Sequence, residues 1–534
     1  MCIYYGITVG PIVKTLGMTN KPAGLWAASY MFSYITKYLL TELKERGVEI
    51  LLPYFGKVYD SNEIGSYPDH IIFKGDLEDE VINTIIKQAK QSLADLIGFA
   101  LFGENIDAEE QKNIREYMGK YISVQCVKAE IENDHKVLEE MNRLFDNIEL
   151  SESYVNVDYN QYLAKLFSGD GNEGSASYIK KLIEQLRIGG MVGPQVERKD
   201  KSLKDVKSIC NIRKLSERKL SDYYAIIYAD GDNMSSILGD IDSSKLKRFS
   251  KLCLDFTSLA AKKIKQYGGV TIYAGGDDLL FIAPLCSKEA DAKDNRISIF
   301  RLCKQLNEIF IESMKKLDDN AKVSLSFGIS IAFVRSPLYE ALNTARYMLF
   351  DNAKKINKDK NAIAISLSKA SGQSLSMVFS QDSPLFKEWL DFLEKHYINT
   401  KDKKKEERVN DSEEEYGVKD LPSVDEEKVQ LDEEKINSLL YMMEDYYALF
   451  KQATKHNAVS NFFTNMMDNT HQKEYQIYIN EVSRLYELLQ DAEKNGLFKA
   501  LDDKVKKDTS LSGILRLAKF YIEKSGQEKG GEKK

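Results

Sequence analysis

Four consecutive residues, Gly275-Gly276-Asp277-Asp278, have the composition of a metal-binding turn. Two short apolar runs, residues 270–273 and 279–283, flank them and have the length and composition of β-strands. The glycines permit a tight turn between these strands, so the two acids are predicted to lie at the tip of a hairpin. Adjacent carboxylates repel each other, and no Lys or Arg stands next to them. A divalent cation would relieve this repulsion, and carboxylate oxygens suit Mg²⁺ or Mn²⁺.

A second acidic stretch follows an apolar run upstream. Residues 223–229 are predicted to form a buried strand that ends in Asp230-Gly231-Asp232. A helix predicted over residues 243–267 connects this strand to the hairpin. A right-handed crossover would then place Asp230 near Asp277 and Asp278, which is the arrangement of a two-metal nucleotidyl-transfer site. Asp232 is a weaker candidate for a metal ligand.

Each motif alone has a simpler explanation. Gly-Gly-Asp-Asp is often only a hairpin turn, and Asp-Gly-Asp also occurs in loops and in calcium sites. The calcium interpretation lacks the Glu that ends such a loop. Because both motifs stand at strand ends with a helix between them, the combination favours a palm-type catalytic site.

Two further residues are candidates for contacts with a nucleotide. Lys354 lies near the end of a helix predicted over residues 338–356, where it either binds phosphate as a point charge or stabilises the end of its own helix. Ser326 lies in a strand predicted over residues 323–334.

The order of the elements predicts an α+β fold with two ferredoxin-like palm domains. The first block repeats the strand and helix order of the second but lacks the paired acids, so it is interpreted as noncatalytic. For residues 117–127 the pattern fits both a buried helix turn and a strand. The predicted domains are a noncatalytic palm at 1–104, a mainly helical domain with a basic connector at 105–220, a catalytic palm at 221–375, and a helical C-terminal domain at 376–534 with a charged, disordered insertion at about 400–435.

Composition excludes several classes of protein. The chain of 534 residues is 43% hydrophobic and carries a net charge of -7, which argues against a free, nonspecific nucleic-acid binder. Its six cysteines include no C-x-x-C pair, so buried or incidental thiols are expected rather than a disulfide framework. With no secretory leader and no apolar run of membrane-spanning length, a cytoplasmic protein without a membrane partner is expected.

Four stretches together resemble a known family. Residues 229–234 and 273–278 resemble the large polymerase/cyclase subunit of type III CRISPR effector complexes. Residues 25–30 and 65–69 are similar to N-terminal signatures of its type III-B (Cmr) branch. The four stretches agree in order and cover both palm-like blocks.

The resemblance implies a subunit of a ribonucleoprotein that also holds CRISPR RNA, target RNA and other type III-B effector subunits. Target RNA would switch on the palm, which would use ATP and two Mg²⁺ or Mn²⁺ ions to make a signalling nucleotide for antiviral defence. The product would be a cyclic oligoadenylate or an adenylyl conjugate such as one with S-adenosylmethionine. The implied metal ligands are Asp230, Asp277 and Asp278, and the residues implied to bind the nucleotide include Gly231, Gly275 and Gly276.

The sequence departs from this family at two points. Many members carry an HD nuclease domain, but the five histidines here, with His70 and His135 in Asp-His order, form no such motif, so no DNA cleavage is expected. A four-cysteine zinc site is also common, and only Cys210 stands in the matching region, so no zinc is expected. A noncatalytic scaffold subunit and a stand-alone nucleotide cyclase are the alternative functions.

Overall fold

The computed structural model describes residues 2–56, 67–150, 161–168, 175–188, 222–239, 241–287, 296–398, 442, 461 and 473–524. The predicted basic connector and charged insertion lie outside these residues. The strands are β1 Cys2–Gly10, β2 Glu49–Leu52, β3 His70–Lys74, β4 Ser123–Ile131, β5 Tyr223–Asp232, β6 Val270–Gly275, β7 Asp278–Ala283, β8 Ser324–Phe333, β9 Ala362–Ser368 and β10 Ser374–Ser380.

The α-helices alternate with these strands and continue after them. They are α1 Ile12–Gly17, α2 Pro22–Glu45, α3 Asp79–Phe102, α4 Ala108–Tyr121, α5 Val137–Leu150, α6 Gln161–Ser168, α7 Ser175–Ile188, α8 Ser235–Leu238, α9 Ser243–Tyr267, α10 Ile299–Lys315, α11 Leu338–Tyr347, α12 Pro384–Leu393, α13 Lys473–Lys494, α14 Asp503–Asp508 and α15 Leu511–Lys524.

The first sheet is antiparallel, with the strand order β2-β3-β1-β4. This order is that of a ferredoxin-like domain. β4 pairs with β1 along its whole length, from Cys2 opposite Ile131 to Gly10 opposite Ser123. The predicted boundary at residue 104 is therefore wrong, because it separates β4 from the strand that satisfies its backbone hydrogen bonds. The ambiguous residues 117–127 contain both elements, since α4 ends at 121 and β4 begins at 123.

The second sheet repeats this core and extends it. Its strand order is β10-β9-β8-β5-β7-β6, in which β8-β5-β7-β6 corresponds to the order of the first sheet. β9 joins β8 in parallel and β10 joins β9 in antiparallel. The predicted boundary at residue 375 is also wrong, because β10 completes this sheet. The predicted α+β fold with two palm domains is confirmed.

Helix α9 covers one face of the second sheet together with α10. It begins after Asp242, whose side chain accepts a hydrogen bond from the backbone of Lys245, and it ends at Gly268 in the left-handed conformation, with φ of +102°. The predicted bounds of this helix agree with the structure because both caps are visible in the sequence. The opposite face of the sheet, including Tyr224 and Ile226, packs against the core of the first palm. The two palms therefore share a buried surface.

The C-terminal helices pack against the second sheet. Trp389 of α12 is fully buried against Phe379 of β10, and its indole N–H donates a 3.2 Å hydrogen bond to the carbonyl of Ile514. The described cysteines form no disulfide: Cys2, Cys126, Cys253, Cys286 and Cys303 are all free. Among the described helices, none is long and apolar enough to cross a membrane.

Candidate active site

The hairpin between β6 and β7 turns within two residues. Gly275 pairs with Asp278, so Gly276 and Asp277 are the central residues of the turn. Gly276 has a φ of +65°, a conformation that glycine adopts without steric cost. The sequence thus places both acids at the tip of the hairpin, as predicted.

The acidic end of β5 lies directly against this tip. β5 pairs with β7 as far as Ala229 opposite Leu279, and the Asp278 carboxyl group hydrogen-bonds with that of Asp230. Gly231 has no room for a side chain, because a Cβ atom there would lie 2.9 Å from the Cβ of Asp277. The prediction that Asp230 meets Asp277 and Asp278 is confirmed.

The three acids crowd negative charge into one place. Burial, together with the charge of Asp230, raises the pKa of Asp277 to about 6. Burial and the charges of Asp277 and Asp230 also raise the pKa of Asp278 well above its usual value. A carboxyl group whose ionisation is opposed in this way is stabilised as an anion by a bound cation.

Asp232 lies deeper than the other acids. Its side chain is fully buried, and Oδ2 accepts hydrogen bonds from Ser324 Oγ (2.8 Å), Ser326 Oγ (2.7 Å) and the backbone N–H of Asn361 (3.0 Å). Three donors on one oxygen anchor the carboxylate inside the protein. Its proposed contact with a metal ion stays a prediction.

The predicted contact between Ser326 and a nucleotide does not fit the structure. Ser326 is fully buried, and its hydroxyl group donates to Asp232 and accepts from the backbone N–H of Ala362 at 3.2 Å. The strand register explains this contact: Ser326 pairs with Asp230, so its side chain lies on the same face of the sheet as Asp230 and Asp232 and reaches the Asp232 carboxylate. Ser326 positions Asp232 instead of facing the open side of the site.

Lys354 lies beside the acids at the end of β5. Its ammonium group donates to the carbonyl oxygens of Asp230 (3.1 Å) and Gly231 (2.6 Å), forms an ion pair with the Asp230 carboxylate, and lies 2.8 Å from Oδ1 of Asp232. Burial alone would lower the pKa of Lys354, but the two carboxylates outweigh it and the pKa is raised. The ammonium group therefore lies in the acidic site, while the alternative role at a helix end stays a prediction. A phosphate contact stays a prediction.

The oxygen atoms at this edge fit a hard divalent cation. Asp230, Asp277 and Asp278 supply carboxylates, and Gly231 supplies a carbonyl, which are the ligand types that Mg²⁺ and Mn²⁺ take. Within the described part of the chain, no group of three or more His, Cys, Asp or Glu side chains is placed so that it could hold a metal ion without rearrangement. Lys354 occupies the space next to β5 in this arrangement.

Several neighbours of the site were not predicted. Asp69, at the start of β3 in the first palm, is close enough that its charge adds to the effect of burial in raising the pKa of Tyr273 and of Asp278. Burial and the charge of Asp278 raise the pKa of Tyr228 to about 12, which the positive charge of Arg346 opposes. The nearness of Asp69 to the site could not be predicted from the sequence, because it depends on how the two palms pack together. Tyr228 could have been predicted, because it lies two residues before Asp230 on the same strand and so faces the same side.

A ferredoxin-like sheet with acids at the ends of its first strand and its central hairpin defines a palm-type protein. Residues 223–364 match the family described as Cas10/Cmr2, second palm domain. The chain is 28% identical over 181 residues to the CRISPR system Cmr subunit Cmr2 of Pyrococcus furiosus. The predicted resemblance is confirmed for this second palm-like block, which is similar to the second palm domain of Cas10/Cmr2 proteins.

The extent of these similarities differs. The alignment with the Pyrococcus furiosus protein covers 28% of this chain and 19% of that protein, so the chain matches about a fifth of its length. A type III-B Cmr-beta structure in the apo state aligns with a TM-score of 0.52 at 11% identity, over 98% of this chain and 82% of the other. A Csm1-Csm4 cassette in complex with cA4 aligns with a TM-score of 0.47 at 12% identity, over 98% and 70% of the two chains. At 11% identity, the likeness to the Cmr-beta structure concerns the fold alone.

Proposed function

We propose that this protein is the catalytic subunit of a type III-B CRISPR effector complex and that it converts ATP into a signalling nucleotide when target RNA binds. The convergence of Asp230, Asp277 and Asp278 at one sheet edge, inside the segment that matches the second palm domain of the family, carries this proposal. The product is a cyclic oligoadenylate or an adenylyl conjugate such as one with S-adenosylmethionine.

Each part of the site has a role in this reaction. Asp230, Asp277 and Asp278 would hold the metal ions, and Gly231 and Gly276 let the backbone come close to the nucleotide. Metal ions, when bound, activate the attacking hydroxyl group and neutralise the leaving pyrophosphate. A ribose oxygen forms the new bond to the α-phosphorus, the bond to pyrophosphate breaks, and the hydroxyl proton passes to water. Lys354 supplies a positive charge within reach of the phosphates.

Partners and activation belong to the same proposal. CRISPR RNA would select the target by base pairing, and other effector subunits would hold the duplex beside this chain. The net charge of -7 fits a protein that reaches RNA through a complex rather than by a broadly basic surface. Because the palm site uses acids and metal ions, no histidine base is needed.

Product analysis tests the proposal. The complex assembled with CRISPR RNA is incubated with labelled ATP and Mg²⁺ or Mn²⁺, with and without target RNA and S-adenosylmethionine, and the products are identified by mass spectrometry. A product that requires target RNA and disappears in the Asp277→Ala, Asp278→Ala double variant supports the proposal, and its mass names the acceptor. The Asp351→Asn variant, in an exposed ion pair with Lys355, is the matched control.

The outcomes separate the alternative functions. If no condition gives a product, the chain is a scaffold subunit. If the isolated chain makes the product without RNA or other subunits, it is a stand-alone cyclase. RNA affinity of the double variant must remain equal to that of the unmodified complex, because the acids lie in the nucleotide site rather than on an RNA-binding surface.

A further inference from the structure

Lys354 sits inside a cage of four oxygen atoms that all come from the end of β5. Two are the main-chain carbonyls of Asp230 and Gly231, at 3.1 and 2.6 Å, and two belong to the carboxylates of Asp230 and Asp232. The lysine side chain is only 11% exposed. The ammonium group is therefore a partly buried cation with several partners, unlike an ordinary surface lysine.

The chemistry of this cage is that of a cation site. Carboxylates and main-chain carbonyls are the oxygen ligands that hard metal ions take from proteins. An ammonium group binds the same oxygens through three N–H donors and a single positive charge, whereas a metal ion binds them by direct coordination. Asp277 and Asp278 lie immediately beside the cage, which leaves several carboxylates near one positive side chain. A divalent ion would compensate more of this charge.

We propose that Lys354 is an internal counter-ion that occupies the cation position on β5 in the metal-free protein and leaves it when a divalent metal ion binds. This inference rests on the proposed function, because it assumes that the acidic site binds a metal ion. Two cations that share the same oxygens repel each other strongly in a partly buried site. The released ammonium group then becomes available to the phosphates of the nucleotide.

The backbone around Lys354 restricts the exchange to its side chain. A π-helical turn, Met348–Asn352, precedes the residue, which is the middle residue of the next turn, Ala353–Lys355. This segment packs closely on β8, where a Cβ atom at Gly328 would lie 2.8 Å from the Cβ of Leu349. Because the backbone is fixed against the sheet, the flexible four-carbon stem is the part that moves. Irregular helical turns of this kind are frequent at functional sites.

Lys355 provides a matched control. It is the next residue along the chain, its side chain is 56% exposed, and its ammonium group pairs with Asp351 at 2.7 Å. Substitution of either lysine by methionine removes one positive charge while keeping the length of the stem. Only Lys354 contacts the cage, so only its loss changes competition with a metal ion.

Metal binding without nucleotide tests the inference. Mn²⁺ is titrated calorimetrically into the full chain, the Lys354→Met variant and the Lys355→Met variant. Removing the competing ammonium group is expected to tighten Mn²⁺ binding by about tenfold in the first variant and to leave it unchanged in the second. Equal or weaker binding by Lys354→Met, with a thermal transition like that of the unmodified chain, would overturn the inference. Absence of Mn²⁺ binding to all three proteins would also overturn it.

A second measurement needs no substitution and covers the case in which Lys354→Met fails to fold. The unmodified chain is treated with an amine-reactive reagent, and modification at Lys354 and Lys355 is measured by mass spectrometry with and without saturating Mn²⁺. Reaction at Lys354 is expected to increase several-fold when Mn²⁺ is present, while Lys355 stays equally reactive. Unchanged reactivity of Lys354 overturns the inference. Neither experiment contains ATP or RNA. Their outcome is therefore independent of whether the complex makes a nucleotide product, and the two proposals can fail separately.

Discussion

The first sheet and the four-stranded core of the second sheet have the same strand order, but their first strands end in different residues. In the first sheet β1 ends in Val9 and Gly10, whereas the corresponding strand β5 ends in Asp230, Gly231 and Asp232. The fold alone therefore does not make a catalytic site, because the residues at the strand ends decide the chemistry.

The first palm still contributes to the site of the second. β3 begins beside Asp69, whose carbonyl accepts a 2.9 Å hydrogen bond from the backbone of Val9, and the preceding carbonyl of Pro68 accepts from Thr36 of α2. These bonds fix the start of β3 where the Asp69 charge influences Asp278. One sheet therefore carries the acids, while the other shapes their surroundings.

The largest expected difference between the sheets is in catalysis. Substituting Asp277→Asn together with Asp278→Asn removes the charges that would hold the metal ions, so product formation should fall on the order of 10³-fold or more. The rate of ATP conversion by the assembled complex measures this. Asp76→Asn, an exposed acid of the first palm, should change the rate less than about twofold. Similar losses from both changes would contradict the division of roles between the sheets.

Close packing provides a second contrast. A Cβ atom at Gly328 in β8 would clash with the backbone at Ala345 and Leu349, while one at Gly6 in β1 would meet the ring of Phe145 at 2.7 Å. Backbone yields less than a side chain, so Gly328→Ala should cost about 3 kcal/mol or more and Gly6→Ala about 1 to 2 kcal/mol. Thermal unfolding of the two variants shows which substitution lowers the stability more. A smaller effect at Gly328 would mean that α11 moves away from β8 easily.

Local patterns in the sequence predicted those features that depend on nearby residues. The bounds of α9 follow from its caps, and the hairpin at Gly276 and Asp277 follows from glycine conformation and flanking strands. The proximity of Asp230 to the hairpin required only the handedness of one crossover. The acidic part of the site was therefore predictable.

Most of the errors concern contacts between residues that are distant in the sequence. The boundary at 104 failed because β4 pairs with β1, more than 100 residues earlier. The boundary at 375 failed for a local reason, because it cuts through β10, which forms a hairpin with β9. The role of Ser326 differs because its hydroxyl group is taken up by Asp232, a contact that depends on the register between β5 and β8. Asp69 was missed because its role depends on how one palm packs on the other.

The contribution of the first palm can be measured through pH. Asp69→Asn removes a negative charge that helps burial raise the pKa of Asp278, so this carboxyl group should ionise at lower pH. The midpoint of the acidic side of Mn²⁺ binding should move down by about half a unit. Calorimetric titrations between pH 5 and about 7.5 measure the shift, with Asp76→Asn as the control. If the pH profiles of Asp69→Asn and the unmodified chain are identical, the first palm has no electrostatic effect on the site.

The smallest expected effect is a stability cost that only the second sheet bears. The pKa of Asp277 is about 6 in the folded protein, above the usual value of 3.8 in the unfolded chain. The folded state therefore holds this proton more tightly, and stability falls as the pH rises from about 4 to about 6, after which the penalty stays constant. Asp277→Asn abolishes the penalty, so at pH 7.5 and without metal its melting temperature should exceed that of the unmodified chain by about 2 °C.

Two comparisons isolate the charge of Asp277 as the cause. At about pH 4.5 the advantage of Asp277→Asn should shrink, because the acid is protonated in the folded protein. Saturating Mn²⁺ should reverse the order at pH 7.5, since the unmodified acids gain a cation that the amide binds poorly. Asp351→Asn, whose parent acid is exposed and paired with Lys355, should follow the unmodified chain throughout. If the higher melting temperature of Asp277→Asn persists unchanged at low pH, its cause is packing. The charge of Asp277 would then not destabilise the second sheet.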